Sequence, residues 1–273
     1  MVEVLVHFVA PALVGVLIGI ASGLLGIGGG TVMVPIFRLA FGMSAIMSTA
    51  TSLFAIIPTS ISGAISHVKG KTCIPALGIA AGLGGACLSP VGVWLAQLSP
   101  DWLVMLAAAL IIGYSAINMF KKAFKLRPAG QPAAGVDAAA PTADDSSLSR
   151  KQLLQGAAIG LVAGLASGYV GVGGGFIMVP LMLSIIGIPM RKASGTSLIA
   201  VMILAIPGVI EQGIIGNINY LAGIAIVIGT IPGAVIGARL VTKVPERTLR
   251  LLFGCFLIVA AVMLVLNEVG IFG

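Results

Sequence analysis

The residues best equipped for chemistry stand in two matching decapeptides. Gly26-Ile27-Gly28-Gly29-Gly30-Thr31-Val32-Met33-Val34-Pro35 recurs as Gly171-Val172-Gly173-Gly174-Gly175-Phe176-Ile177-Met178-Val179-Pro180, with seven of ten positions identical. Glycine lacks a Cβ and tolerates positive φ, so a run of it lets consecutive backbone N–H groups converge on a small oxyanion. In each copy one apolar run ends at the glycines and another starts at Thr31 or Phe176. A helix starting there points its unbonded N–H groups and the positive end of its dipole into the turn. Gly28, Gly29, Gly30, Thr31, Gly173, Gly174, Gly175 and Phe176 are therefore candidate anion ligands. The competing reading is packing, since small residues let membrane helices approach closely and glycine permits a kink. Two copies of one pattern weigh toward function.

Hydroxyls cluster one segment later, as Ser48, Thr49, Thr51 and Ser52 and again as Ser194, Thr196 and Ser197. Thr51, Ser52, Thr196 and Ser197 are the stronger candidates for donating to an anion, because both copies carry them. The alternative is a hydroxyl bonded to its own i−4 carbonyl, common in membrane helices. Arg38 lies inside a short apolar segment where the second copy has Leu183. It reads either as a counter-charge for a substrate anion or as a side chain snorkelling to the headgroups. His67 and Glu211 have the chemistry for a coupling proton, but both sit at segment edges and read as solvated. Cys73, Cys87 and Cys255 show no metal or redox spacing and read as small packing residues. No metal or cofactor motif occurs, and neither glycine turn completes a dinucleotide-binding or P-loop pattern. The chemistry on offer is binding, with no enzyme signature.

The elements that position these residues must be membrane helices. Hydrophobic residues make up 59% of the 273-residue chain, charged residues 8%, and mean hydropathy is +1.17. Soluble enzymes and nucleic-acid binders need far more charge to cover their surface. Apolar runs of about 20 residues, in place of ten-residue alternating strands, specify an all-α integral membrane protein. The first run, from Val4, lacks a basic n-region and a cleavage site, so no removable signal peptide is expected. The net charge of +7 then reflects topology and not a polyanion partner.

The 145-residue offset between the decapeptides continues without a gap, pairing Ser22 with Ser167, Gly42 with Gly187, Gly63 with Gly208 and Gly84 with Gly229. Residues 1–120 and 151–273 are thus two homologous membrane repeats. Residues 121–150, rich in Ala, Pro, Gly and Ser, read as a flexible cytoplasmic linker. The apolar segments run Val4–Leu25, Thr31–Phe41, Ser44–Ser66, Thr72–Leu98 and Trp102–Phe120, then Leu153–Val170, Phe176–Ile186, Ala193–Ile210, Tyr220–Ala238 and Leu249–Leu266. This predicts about eight full transmembrane helices plus two short helices after the glycine breaks. A short segment of about 11 residues covers about 16 Å as a helix, against a hydrocarbon core of about 30 Å. If the short segments nonetheless return the chain across the membrane, the repeats are inverted. In that case fourteen of fifteen Lys and Arg residues, all but Arg38, lie on the linker side; counting the short segments out leaves eight there. The positive-inside rule favours the inverted arrangement in a cytoplasmic membrane, with both termini outside. Inverted repeats with interrupted segments at matching positions point to a transporter site near the midplane.

The Gly-x-Gly-Gly-Gly-x-x-x-Val-Pro signatures at Gly26 and Gly171, each followed by Thr-Ser-Leu at Thr51 and Thr196, resemble the TauE/SafE family of membrane transporters. The resemblance covers both halves and excludes the linker. It implies transport of sulfite, a sulfonate or a related sulfur anion; since no ATP-hydrolysis motif occurs, any energy used is expected from an ion or substrate gradient or from a separate subunit. The partners expected are a small anionic substrate, the lipid bilayer and a coupling ion, with no nucleic acid. Direction, coupling ion, exact substrate and oligomeric state have no legible signature. An anion channel and a non-transporting assembly subunit stand as alternatives to the transporter.

Overall fold

The computed structural model describes residues 10–125 and 149–268. Every element in them is helical: α1 (Ala10–Leu25), α2 (Gly30–Phe41), α3 (Ala45–Lys69), α4 (Pro75–Leu98), α5 (Asp101–Lys125), α6 (Arg150–Val170), α7 (Gly175–Leu181), α8 (Met190–Ile215), α9 (Tyr220–Leu240) and α10 (Glu246–Glu268). Seven of these are long and apolar enough to cross a membrane. The expected eighth, α1, is described over only 16 residues, because the start of its apolar run at Val4 lies outside the described residues. Of the segment read as a linker, residues 121–125 continue α5 and Arg150 starts α6, while residues 126–148 lie outside the described residues.

Helix ends follow local chemistry. Ser44 Oγ accepts from Met47 N–H at 3.2 Å to open α3, and Ser149 with Gln152 forms a capping box at α6. Asp101 Oδ2 accepts from Ala45 N–H and Glu246 Oε1 from Met190 N–H, each at 3.1 Å. Each carboxylate, in the first turn of α5 or α10, thereby satisfies a first-turn donor of α3 or α8. The short helix α7 gives way to a π-helical turn at Met182–Ile186. Its cause is a captured carbonyl: Pro180 O accepts from Ser184 Oγ at 2.6 Å and from Lys122 Nζ at 3.0 Å.

Two helix pairs pack backbone to backbone, α1 with α9 and α4 with α6. A Cβ on Gly15 would strike Ile226 O, and one on Gly160 would strike Ala81 O; Gly19 meets Thr230 as Gly164 meets Gly85. The four contacts are reciprocal under the same 145-residue offset. Lipid tails give apolar side chains no reason to leave them, so helices associate where small residues allow close contact. The register also fixes direction. Along α1, Gly15, Gly19 and Gly23 meet Ile226, Thr230 and Ala234 in rising order, and Thr59 and Gly63 of α3 meet Thr230 and Ala234. Helices α1, α3 and α9 therefore run parallel, and α2 carries the chain back between α1 and α3. By the same contacts α4, α6 and α8 run parallel to one another. Gly63 and His67 of α3 meet Leu198 and Gly195 of α8 in falling order, so this second set opposes the first. Helices α3 and α8 cross at the centre, while α5 and α10 pack together at the periphery.

These directions place the C-terminal ends of α3 and α9 on one side and that of α4 on the other. Single cysteines near Lys69 and Lys243 are expected to react with an impermeant maleimide from one face of the membrane, and one near Ser99 from the opposite face. Labelling of Ser99 and Lys243 from the same side would overturn the arrangement.

Candidate functional site: two glycine breaks in contact

Both breaks leave the helix in the same way. Gly26, Gly28 and Gly29 have φ of 76, 82 and 86°, and Gly171, Gly173 and Gly174 have φ of 71, 89 and 69°. A Cβ makes this left-handed conformation costly, which is why the motif is spelled in glycine. Gly30 and Gly175 lie outside that region and meet a different need. A Cβ on Gly30 would strike Val172 O, and one on Gly175 would lie 2.5 Å from Gly26 O. The two breaks thus touch, backbone to backbone, at the centre of the molecule.

Several donors at this junction are left over. Gly26 N–H closes on Ser22 O at 2.8 Å and Gly171 N–H on Ser167 O at 2.7 Å, ending α1 and α6. Among the described residues no acceptor meets the N–H groups of Gly28, Gly29, Gly30 and Thr31, nor those of Gly173, Gly174 and Phe176. No side chain caps α2 or α7 either. Hydroxyls surround the same turns: Ser22 lies against Gly29, Ser167 against Gly174, and Ser60 against Gly28. All three are fully buried, and their Oγ atoms have no hydrogen-bond partner among the described residues. A buried unsatisfied hydroxyl costs about 1–3 kcal/mol, so a cluster of them beside free N–H groups calls for a ligand or a function.

The candidate residues read from the sequence divide. Gly28, Gly29, Gly30, Gly173, Gly174 and Gly175 form the junction itself. Thr31 is fully buried beside it with an unpartnered Oγ1, whereas Phe176 fills the matching place with an apolar ring. Thr51 and Thr196 are occupied elsewhere: Thr51 Oγ1 accepts from Asn219 N–H at 3.0 Å, and Thr196 Oγ1 from Ile74 N–H at 2.9 Å. They secure the starts of α9 and α4. Ser197 Oγ donates to Gly26 O at 2.7 Å and braces the first break, while Ser52 Oγ is buried without a partner.

Arg38 stands apart from the junction. It lies eight residues beyond Gly30, about 12 Å along α2, and its Nη1 is 3.9 Å from Asp101 Oδ2. The ion pair explains a charge that topology left unassigned. Arg38→Gln is expected to change apparent substrate affinity by less than about fivefold, the scale of one partly exposed ion pair. A larger loss in a flux or binding titration would place Arg38 in the substrate path.

Sequence reading missed Ile56 and Val201. Both are fully buried, they correspond under the 145-residue offset, and both side chains press on Gly28 and Gly173. His67 also departs from expectation: it is fully buried, not solvated, because α3 continues to Lys69 and turns it inward. One ring nitrogen is 2.8 Å from Gly23 O and the other 2.7 Å from Thr72 Oγ1.

Comparison with known proteins gives this junction a context. The family model described as "Sulfite exporter TauE/SafE" matches residues 11–264. The chain is 28% identical to "Probable membrane transporter protein YunE" of Bacillus subtilis (strain 168), over 97% of this chain and 99% of that protein. It is 28% identical to YdhB of the same organism, also described as a probable membrane transporter protein, over 87% of this chain and 92% of that one. A similarly described Haemophilus influenzae protein is 29% identical, covering 93% and 97%. No solved structure matches the chain at a significant level. Ten helices among the described residues, twin glycine breaks and a match over nearly its whole length make this chain a member of the TauE/SafE sulfite exporter family of multi-pass membrane transporters.

Proposed function

We propose that this protein is a secondary transporter of a small sulfur-containing anion, such as sulfite, thiosulfate or an organosulfonate, in the cytoplasmic membrane. The substrate is held where the two glycine breaks meet. The observation that carries this reading is the coincidence of seven unengaged backbone N–H groups with three buried, unpartnered serine hydroxyls at one backbone junction. The sulfur chemistry of the anion rests on family membership. The repeats are inverted, so each break contributes a helix N-terminus to the shared site. No side-chain cation is needed, because short-helix dipoles and N–H groups supply the positive potential. Ile56 and Val201 close over the turns, and the anion enters when one of them withdraws. The transport cycle makes and breaks no covalent bond, and its energy comes from an ion or substrate gradient.

Purified protein in proteoliposomes tests the proposal. Flux of sulfite, thiosulfate, taurine or sulfoacetate is expected to saturate and to accelerate with counter-substrate inside. Flux linear in concentration would identify a channel, and absence of flux for all four would reject the substrate class.

A further inference from the structure

The side of α3 turned away from the breaks forms a groove with α9, with a volume of about 690 Å³. Pro58, Ile61, Ile65 and Lys69 recur along α3 at helical spacing, and Ile231, Val235 and Arg239 do so along α9. Because the two helices run parallel, both stripes pass from apolar to cationic toward the same end. Lys69 follows Pro58 by 11 positions, about 16 Å along the helix, which is half of a hydrocarbon core about 30 Å thick. The groove is therefore about as long as one leaflet is thick. Its walls face outward, with Ile61 39%, Ile65 50% and Ile231 40% exposed. The hydroxyls along it turn to the backbone, Ser62 Oγ donating to Ile231 O and Ser66 Oγ to Ser62 O, so the surface offered is alkyl. No carboxylate lines the groove, and neither Lys69 nor Arg239 belongs to an ion pair among the described residues.

We infer that this groove binds one anionic glycerophospholipid, its phosphate between Lys69 and Arg239 and an acyl chain along Ile61, Ile65, Ile231 and Val235. Basic pockets between membrane helices at the headgroup level recognise such lipids by charge. The duplication supplies an internal comparison. Under the 145-residue offset Ile61 and Ile65 correspond to Ile206 and Ile210, whereas Lys69 and Arg239 correspond to Ile214 and Trp94. The aliphatic stripe of α3 is present in both copies, whereas that of α9, with Ile231 and Val235 matched by Ala86 and Pro90, and the cationic mouth are present in one. Retention of basic residues on one side of the membrane requires only that they lie in loops or helix ends. It does not require two of them, from separate repeats, to converge on the head of one acyl-length groove. The inference does not depend on which anion is transported.

The full-length protein in detergent, titrated with phosphatidylglycerol and phosphatidylcholine of identical chains and read by native mass spectrometry, tests it. Phosphatidylglycerol is expected to be retained about tenfold more tightly. The double substitution Lys69→Gln/Arg239→Gln should erase that preference, and Ile65→Trp, which fills the groove, should weaken both lipids. A control pair outside the groove, Arg150→Gln/Lys151→Gln, should leave the preference intact. Equal retention of the two lipids by the native protein would overturn the inference. So would a preference that survives Lys69→Gln/Arg239→Gln or falls equally in the control pair. Inorganic phosphate displacing phosphatidylglycerol at equal concentration would identify a free-anion site instead.

Discussion

Gly29→Ala is expected to yield a folded, membrane-inserted protein that does not transport, whereas Gly30→Ala, one residue later, should yield little folded protein at all. The two glycines differ in what a Cβ would meet. At Gly29 it would meet side chains and no backbone: Met33 Cε at 3.0 Å, the end of a flexible chain, Ile18 Cγ2 at 3.0 Å, which must give by a few tenths of an ångström, and Ser22 Cβ at 3.7 Å. The remaining cost is conformational, since φ is 86°, and amounts to about 1–2 kcal/mol. That is small against a typical stability of 5–15 kcal/mol. The turn would relieve it by rotating toward negative φ, which redirects the N–H groups of Gly29 and Gly30 away from the junction. At Gly30 the Cβ would meet the Val172 carbonyl, whose carbon lies at 2.6 Å, and backbone has no rotamer to yield. The breaks would have to separate. Detergent-phase monodispersity and melting temperature, measured beside proteoliposome flux, distinguish the outcomes. Equal loss of folded protein in both variants would favour a packing role for the whole motif. Undiminished flux through Gly29→Ala would remove the anion site from this junction.

The contrast also shows which features a sequence can display. The breaks were legible because nothing substitutes for glycine either at φ of 86° or against a neighbouring carbonyl, so the requirement is written in residue type. Helix starts were legible within about a turn, and in the structure Ser44, Ser149 and Pro75 mark three of them by local chemistry, whereas α5 and α8 run five residues past the expected ends at Phe120 and Ile210. Partnerships were not. Thr51 and Thr196 carry the hydroxyl an anion site needs, but their partners are backbone donors 168 and 122 residues away, and spacing along the chain cannot reveal that. His67 sits two residues from a helix end and read as wet; contacts with Gly23 of α1, Thr72 and Gly195 of α8 bury it. Ile56 and Val201 are two more aliphatic residues in aliphatic helices, distinguished only by lying over the turns. Ser22 and Ser167 were visible as a repeated pair, but a helical serine that bonds its own backbone looks the same in sequence as one that bonds nothing.

That difference between engaged and unengaged hydroxyls leads to the second large effect. Ser22, Ser60 and Ser167 each bury an Oγ without a partner beside the breaks, so in the empty protein their hydroxyls stabilise nothing. Ser22→Ala, Ser60→Ala and Ser167→Ala should therefore leave the melting temperature unchanged or raise it slightly, because each removes a buried polar group that lacks a bond. Substrate affinity should respond in the opposite sense. A hydrogen bond to a charged group contributes about 1.5–3 kcal/mol, so each substitution is expected to weaken binding by about tenfold to a hundredfold. Thr51→Ala and Thr196→Ala should show the converse pattern. Each leaves a backbone N–H without its acceptor, buried at Ile74 and part-buried at Asn219, and should cost about 1–3 kcal/mol of stability for Thr196→Ala and less for Thr51→Ala, with little change in affinity. The crossed result matters more than either half, since general loosening of the bundle would lower stability and affinity together. If the serine variants bind like the native protein while the threonine variants lose affinity without losing stability, the anion lies at the starts of α4 and α9 and not between the breaks.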